Sequence, residues 1–288
     1  MNERKAPVFG IYEKALPASG DWTKLLEAAR TAGYDYVEMS IDESDERLER
    51  LNWNKTERSE FRRAVAESGI PVRSICLSAH RRFPFGAADP ALRERAAEIM
   101  RRAIDFAAEL GIRTIQLAGY DVYYESSTAD SLERFSSGLD WAVGLAERSQ
   151  VMLAMEIMDT PLLGTIGKWL AYAQAIPSPW FQVYPDIGNL SAWSEAVGVE
   201  LARACGRIVA VHLKDTIPPR PGFAGTFKEV PFGEGKVDFV AAFKALAALN
   251  YRGCFLVEMW THSAADPIAE CARAREWLLE RMRQGGMA

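Results

Sequence analysis

The sequence predicts a single (β/α)8, or TIM, barrel domain over residues 1–288. Three observations carry that expectation: eight short β-rich apolar runs, an amphipathic segment after each of them, and no Gly/Ser or Pro tract that would divide the chain. A strand covered by helices is buried on both faces, so it reads as a near-continuous apolar run rather than as an alternating one. The length allows two domains of roughly 150 residues, but one α/β barrel commonly takes about 200 to 250 residues or more. At 49% hydrophobic and 25% charged residues the composition is that of an ordinary globular protein, which excludes disorder, collagen and coiled coil. A doubly wound open sheet is the competing arrangement.

The first strand is Val8 to Tyr12, and Asp21 stands as an N-cap before WTKLLEAARTAG. Tyr36 to Ile41 follows, with a helical segment at Ala64 to Gly69. After the third strand, Val72 to Ser78, Pro90 opens ALRERAAEIMRRAIDFAAELG and Gly111 stops it. Thr114 to Ala118 precedes a helix over 130–149, Met152 to Ile157 one over 165–176, and Phe181 to Asp186 one over 194–205. The seventh strand, Ile208 to Leu213, leads into the longest irregular stretch, IPPRPGFAGTFKEVPFGEGK, before a helix over Phe239 to Leu249. A loop that long is usually functional or mobile, and in a barrel it lies over the carboxyl face. Cys254 to Met259 and a helix over 267–284 complete eight units; no fixed-period repeat points to a solenoid.

Charge and targeting signals narrow the function. Lys and Arg number 34 against 39 Asp and Glu, a net charge of -5 without long blocks of either sign. Nucleic-acid coating needs a basic stripe, so no nucleic-acid partner is expected. The amino-terminal MNERKAPVFG has no apolar secretory core, and no run of about 18 uncharged apolar residues occurs, so a cytoplasmic protein without a membrane partner is expected. The cysteines, Cys76, Cys205, Cys254 and Cys271, form no C-x-x-C pair and read as buried thiols.

In a barrel, side chains at the carboxyl ends of different strands converge on one mouth, whereas a polar group in mid-strand is cut off from water. Four strand ends are conspicuous: Glu156 in VMLAMEIM, Asp186 closing FQVYPD, His212 in IVAVHL and Glu258 in FLVEM. Three carboxylates and an imidazole suit one divalent cation of the Mn, Mg, Co or Zn type, because the thiolates of a structural zinc site are missing. Without a cation, crowded carboxylates repel and one takes up a proton. Taken singly, each has a structural reading: an ion-paired or solvated acid for Glu156 or Glu258, a Pro185-Asp186-Gly188-Asn189 turn, and a satisfied core histidine. Four such coincidences on strands five to eight are harder to accept than one.

The segment LSAHRRFPFG sets His80, Arg81 and Arg82 at the mouth, and His80 and Arg82 are expected to recognise an anion or substrate hydroxyls, against a surface salt-bridge reading. Lys214, Lys228 and Lys236 add positive charge after the seventh strand, where barrels often hold phosphate; Lys214 and Lys228 join the substrate-binding set. Gly233 and Gly235 could let backbone amides approach such a group, although no P-loop is present. Glu38 reads as the partner of a basic group, Asp159 as a helix cap, and Trp193 and Trp260 as core or rim packing. Only three histidines, His80, His212 and His262, argue against a hydrolytic zinc cluster, and no G-x-S-x-G elbow is seen.

The strings LSAHRRFPFG, RTIQLAGYDVYYE, MEIMDTP, YPDIGNLSAW, HLKDT, VPFGEG and FLVEMW, spread over the whole chain, resemble the L-ribulose-5-phosphate 3-epimerase family, also called L-xylulose-5-phosphate 3-epimerase. The resemblance implies a xylose-isomerase-like barrel of bacterial L-ascorbate and related pentose catabolism, with one divalent ion, usually zinc or manganese. It implies that Glu156, Asp186, His212 and Glu258 are the metal ligands, and that Glu156 and Glu258 exchange protons with substrate. Free-ketose 3-epimerases generally carry a histidine three residues after the metal-binding aspartate, where Asn189 stands, so a phosphorylated pentulose is the expected substrate. A homodimer is common among such barrels and is expected.

The reaction expected from this resemblance inverts carbon 3 of a 2-ketose through a cis-enediolate, with one glutamate abstracting a proton and the other returning one. Rivals are an epimerase or aldose-ketose isomerase acting on another sugar or sugar phosphate, a metal-dependent phosphatase or endonuclease, and a sugar-phosphate binding protein without catalysis.

Overall fold

Eight parallel strands form one sheet in the order β6-β5-β4-β3-β2-β1-β8-β7 in the computed structural model, which describes residues 7–17 and 20–287. Residues 1–6, and with them most of the segment read above for a leader, lie outside the described residues. The chain runs β1 (Phe9–Tyr12), α1 (Trp22–Thr31), β2 (Tyr36–Ile41), α2 (Asp45–Leu48), α3 (Lys55–Ser68), β3 (Val72–Leu77), α4 (Pro90–Leu110), β4 (Thr114–Leu117) and α5 (Ala129–Ser149). It continues with β5 (Met152–Glu156), α6 (Ile166–Ala175), β6 (Phe181–Tyr184), α7 (Ile187–Trp193), α8 (Val197–Arg203), β7 (Ala210–Leu213), α9 (Phe239–Ala248), β8 (Cys254–Val257) and α10 (Pro267–Gln284).

The ring closes between β6 and β7 through single parallel bridges, Val183 with Ile208 and Asp186 with His212. Val209 N donates to Val183 O at 3.0 Å and His212 N to Pro185 O at 2.9 Å. This is the (β/α)8 barrel that the alternation of runs predicts, not an open doubly wound sheet.

Strand periodicity sorts the side chains. Phe9, Ile11, Val37, Met39, Leu153, Met155, Val183, Val211, Phe255 and Val257 point out and join the large apolar layer under the helices. The alternate positions, Tyr12, Tyr36, Cys76, Ala154, Tyr184, Ala210 and Leu256, form a separate cluster that fills the barrel. Glu38, Ser74, Gln116, Glu156, Asp186, His212, Lys214 and Glu258 continue this inward series. The polar set is stacked on the inner apolar plug, at the carboxyl end.

Helix boundaries follow capping chemistry. Asp21 caps α1 by accepting from Thr23 N at 2.9 Å, and Asp89 with Pro90 opens α4, which stops at Gly111 with φ 75°. The helix expected only over Ala64 to Gly69 begins at Lys55, because Asn54 and Glu57 form a reciprocal capping box there. The turn considered at Pro185 to Asn189 is instead the start of α7: the Asp186 carboxylate is its N-cap and accepts from Asn189 N at 2.8 Å. The helix expected over 194–205 is the shorter α8. Cys76 and Cys271 are buried, but Cys205 is exposed and Cys254 half-buried, so the reading of all four as buried thiols is corrected. Among the described residues no helix is long and apolar enough to cross a membrane.

Candidate metal centre and active site

Glu156 is the last residue of β5, Asp186 and Glu258 lie just beyond β6 and β8, and His212 is in β7. The inward parity of these four neighbouring strands turns their side chains to one point. One donor atom from each residue lies within 4.8 Å of every other. His212 Nδ1 stands 3.3 Å from Glu156 Oε1, 3.7 Å from Asp186 Oδ2 and 3.6 Å from Glu258 Oε2.

Each member is held from behind. Gln116 Nε2 donates to Glu156 Oε2, and Asn189 N to Asp186 Oδ1. Glu258 Oε2 accepts from Lys214 Nζ at 3.0 Å, and His212 Nε2 faces Glu38 Oε1 at 3.1 Å.

The donors fit a divalent cation. With bonds of about 2.0–2.2 Å, neighbouring ligand atoms stand roughly 3–3.5 Å apart, close to the spacings around Nδ1. Asp186 Oδ2 is fully buried and accepts no hydrogen bond, although the Lys214 ammonium approaches it to 3.1 Å. The Lys214 ammonium meets part of the charge on this oxygen but leaves it without a hydrogen bond, and the oxygen-rich donor set is one that hard and borderline divalent ions take.

Burial and charge set the two glutamates apart. Burial pushes the Glu156 carboxyl up to about 7, against the pull of His212. Burial acts in the same sense on Glu258, but the Lys214 ammonium and His212 outweigh it and hold that carboxyl well below the usual range. His212 is raised well above its ordinary value because the surrounding carboxylates, Glu38 foremost, overcome burial. Lys214 is raised too: Asp186 and Glu258 outweigh the cost of burying its ammonium.

Of the residues expected to meet substrate, the structure brings two to this place. Lys214 bridges Asp186 and Glu258. Lys228 lines a cavity of about 1210 Å³ with Lys14, Arg47, Arg50 and Trp260. A second cavity of about 440 Å³, walled by Lys214 and Glu258, shares Trp260, Thr261 and His262 with the first.

His80 and Arg82 are engaged elsewhere. The His80 ring is buried, with Nε2 3.2 Å from Ala96 O and its face stacked on Phe85 at 4.8 Å. Arg82 reaches Asp45 Oδ1 at 2.7 Å and Glu43 O at 3.2 Å on the outer rim. Arg81 is the member of this turn that faces the rings of Tyr120 and Tyr123, at 5.6 and 5.4 Å, and its charge lowers the pKa of Lys228, after burial. The segment is a 3-10 turn over Ser78–Arg81, so adjacent side chains diverge by roughly 120°.

Other expectations are corrected. Gly233 and Gly235 give their N–H groups to Asp215 Oδ2, at 2.8 and 3.1 Å, not to a ligand. Asp159 caps no helix: Thr165 caps α6, and Asp159 accepts from Tyr120 Oη at 2.5 Å. Glu38 does have a basic partner, but it is His212. Sequence reasoning missed Gln116 and the link from Glu38 to His212, both legible from inward parity on strands whose outer faces are apolar.

The fold and the acid-imidazole quartet define a xylose isomerase-like TIM barrel, and the model of that family matches residues 26–281. More narrowly, the chain belongs to the L-ribulose-5-phosphate 3-epimerase family. It is 54% identical over 287 residues to L-ribulose-5-phosphate 3-epimerase UlaE of Escherichia coli (strain K12), covering 100% of this chain and 99% of that one. Over 277 residues it is 55% identical to the putative L-ribulose-5-phosphate 3-epimerase SgbU of the same strain, covering 96% and 97%. The fold also matches the solved structure of an L-ribulose 3-epimerase with a TM-score of 0.76 and 23% identity over 98% of this chain and 96% of that one.

Proposed function

We propose that the protein interconverts L-ribulose 5-phosphate and L-xylulose 5-phosphate by inverting carbon 3. The observation that carries this is the placement of Glu156 and Glu258 on β5 and β8, three strands apart in an eight-strand ring, with His212 Nδ1 near both at 3.3 and 3.6 Å. Full-length relatedness to UlaE supplies the substrate.

Carbon 3 of a 2-ketose is acidified only by the neighbouring carbonyl. Glu156, Asp186, His212 and Glu258 would hold a zinc or manganese ion, which when bound would supply Lewis acidity to the ketose. Inversion needs a proton removed from one face of the sugar and one delivered to the other. Glu156 at the end of β5 and Glu258 just past β8 serve as the two bases: one accepts the carbon-3 proton, the other returns one to the opposite face, and in the reverse direction the roles exchange. Between the two steps the sugar is a planar cis-enediolate, which the buried walls shield from water. Lys214 orients Glu258 and adds positive charge beside the developing oxyanion, and Lys228 meets the substrate from the adjoining cavity. Asn189 donates its side-chain N–H to Ile157 O at 2.9 Å, so it ties α7 to β5. A cytoplasmic homodimer without nucleic-acid or membrane partners completes the reading, in keeping with the net charge of -5.

The test is incubation of L-ribulose 5-phosphate with zinc- or manganese-loaded protein in deuterated water. Deuterium is expected at carbon 3 of both epimers; label at carbon 1, or none, refutes the proposal. Glu156→Gln and Glu258→Gln should each lower that exchange by at least about 100-fold. Exchange at the wild-type rate in either variant removes that glutamate from the proton path.

A further inference from the structure

We infer that Glu38 is the positioning residue that sets the tautomer of His212 and so fixes which ring nitrogen the quartet uses. The inference rests on the reading that the quartet holds a cation, and goes beyond it in assigning a residue on the opposite side of the barrel, in β2.

Glu38 is fully buried at the level of the inner plug. Its Oε1 lies 3.1 Å from His212 Nε2, while its Oε2 accepts from Ser74 Oγ at 2.6 Å and from Tyr184 Oη at 3.4 Å. Those two hydroxyls hold the carboxylate from the other side. The Tyr184 ring lies against the imidazole with centroids 4.4 Å apart and planes tilted by 59°. Around His212 the two nitrogens therefore have different company: Nδ1 faces Glu156, Asp186 and Glu258, and Nε2 faces Glu38 alone.

A carboxylate is an acceptor, so the proton on Nε2 is the one that Glu38 secures, and the Nδ1 lone pair is left aimed at the quartet. Buried partners of this kind fix ring orientation and raise the basicity of a ligating imidazole, and their loss typically weakens metal binding about 10- to 100-fold. Glu38 touches neither the expected cation nor the sugar; it acts through His212.

The experiment compares metal-stripped wild type, Glu38→Gln and Ser74→Ala by zinc competition against a chromophoric chelator. Alongside it, 15N NMR reads the imidazoles of the zinc-loaded wild type, a tractable spectrum because the chain has three histidines. Glu38→Gln should bind zinc about 10- to 100-fold more weakly, Ser74→Ala a few-fold more weakly, and wild-type His212 should carry its proton on Nε2. Wild-type zinc affinity in folded Glu38→Gln, or an unprotonated Nε2 in the zinc-loaded wild type, overturns the inference. Should Glu38→Gln fail to fold, Ser74→Ala decides: wild-type zinc affinity in that variant, which releases one side of the Glu38 carboxylate, overturns the inference. A Glu38 that serves only folding lowers the melting temperature of Glu38→Gln and leaves the zinc affinity of the folded protein unchanged. Failure of the wild type itself to bind zinc or manganese refutes the metal reading, a result distinct from those above.

Discussion

At the scale of single residues, environment decides between identical side chains. Glu156 and Glu258 share one cluster, yet Gln116 stands behind the first and the Lys214 ammonium behind the second, and their carboxyls move in opposite directions from the ordinary value. His80 and His212 diverge in the same way. His212 is ringed by carboxylates, whereas His80 has an aromatic face and a single carbonyl, and burial pushes its pKa down to about 4. The folded state then binds less proton on His80 than the unfolded state between about pH 6.5 and 4, so this contribution is complete above the unfolded value and is lost as pH falls. By pH 4.5 the loss amounts to about 2–3 kcal/mol. Urea unfolding at pH 7 and pH 4.5 should therefore show a smaller difference in His80→Leu than in wild type by about that amount. Equal differences would place His80 in contact with solvent and return it to the substrate-binding set. The sequence makes the quartet legible because an acid in an apolar strand stands out, but it does not distinguish Arg81 from Arg82. That choice is made by a 3-10 turn, which composition and periodicity do not mark.

Among the elements, the stretch between β7 and α9 shows how a long loop is held without a core of its own. Asp215, buried just past β7, accepts from Thr216 N at 2.9 Å, Gly233 N at 2.8 Å, Gly235 N at 3.1 Å and Val237 N at 3.3 Å. Ile217 and Thr226 exchange hydrogen bonds at 2.9 and 2.8 Å, which closes the near half of the loop into a narrow ribbon. Gly235 has to be glycine, since a Cβ there would collide with the Asp215 carboxylate. The loop carries Lys228, the proposed substrate contact, so its anchor is expected to bear on substrate binding more than on the quartet. Asp215→Ala is expected to speed tryptic cleavage within residues 217–236 and to raise KM about 10-fold, with zinc affinity within about two-fold of wild type. Unchanged protection would assign the hold to the ribbon instead. The runs and caps announced all eight strands and most helices. They did not announce the first part of α3, where charged residues mask a thin apolar face, or α7, whose N-cap is also the proposed ligand Asp186. A residue with two roles reads as the blander one when only its neighbours in sequence are seen.

For the whole molecule, the quartet sits where the barrel is least zipped by backbone pairing. Every other neighbouring pair of strands has a ladder of at least three paired residues, that of β2 and β3 with a register shift at Val37/Glu38, whereas β6 and β7 meet only at the bridges Val183 with Ile208 and Asp186 with His212. The second bridge joins two of the proposed ligands, and Glu156 and Glu258 come from the strands on either side. A cation shared by the four would fasten β5, β6, β7 and β8 across this seam. Its binding energy would add to the folding energy because the unfolded chain does not assemble the site. At a free ion concentration 100 times the dissociation constant the gain is about 2.7 kcal/mol. With an unfolding entropy of roughly 2.1 cal/mol/K per residue, that raises the melting temperature of a chain this size by about 4–5 °C. Scanning calorimetry with and without a chelator, on wild type and on Asp186→Asn, should show the shift in the first and little in the second. Amide hydrogen exchange should locate the gain: zinc ought to slow exchange of Val209 N and His212 N, the two donors across the seam, more than amides in the β2–β3 ladder. A uniform slowing through the sheet would mean that the cation stabilises the fold only globally, and a melting temperature indifferent to chelator would remove the cation from the seam altogether.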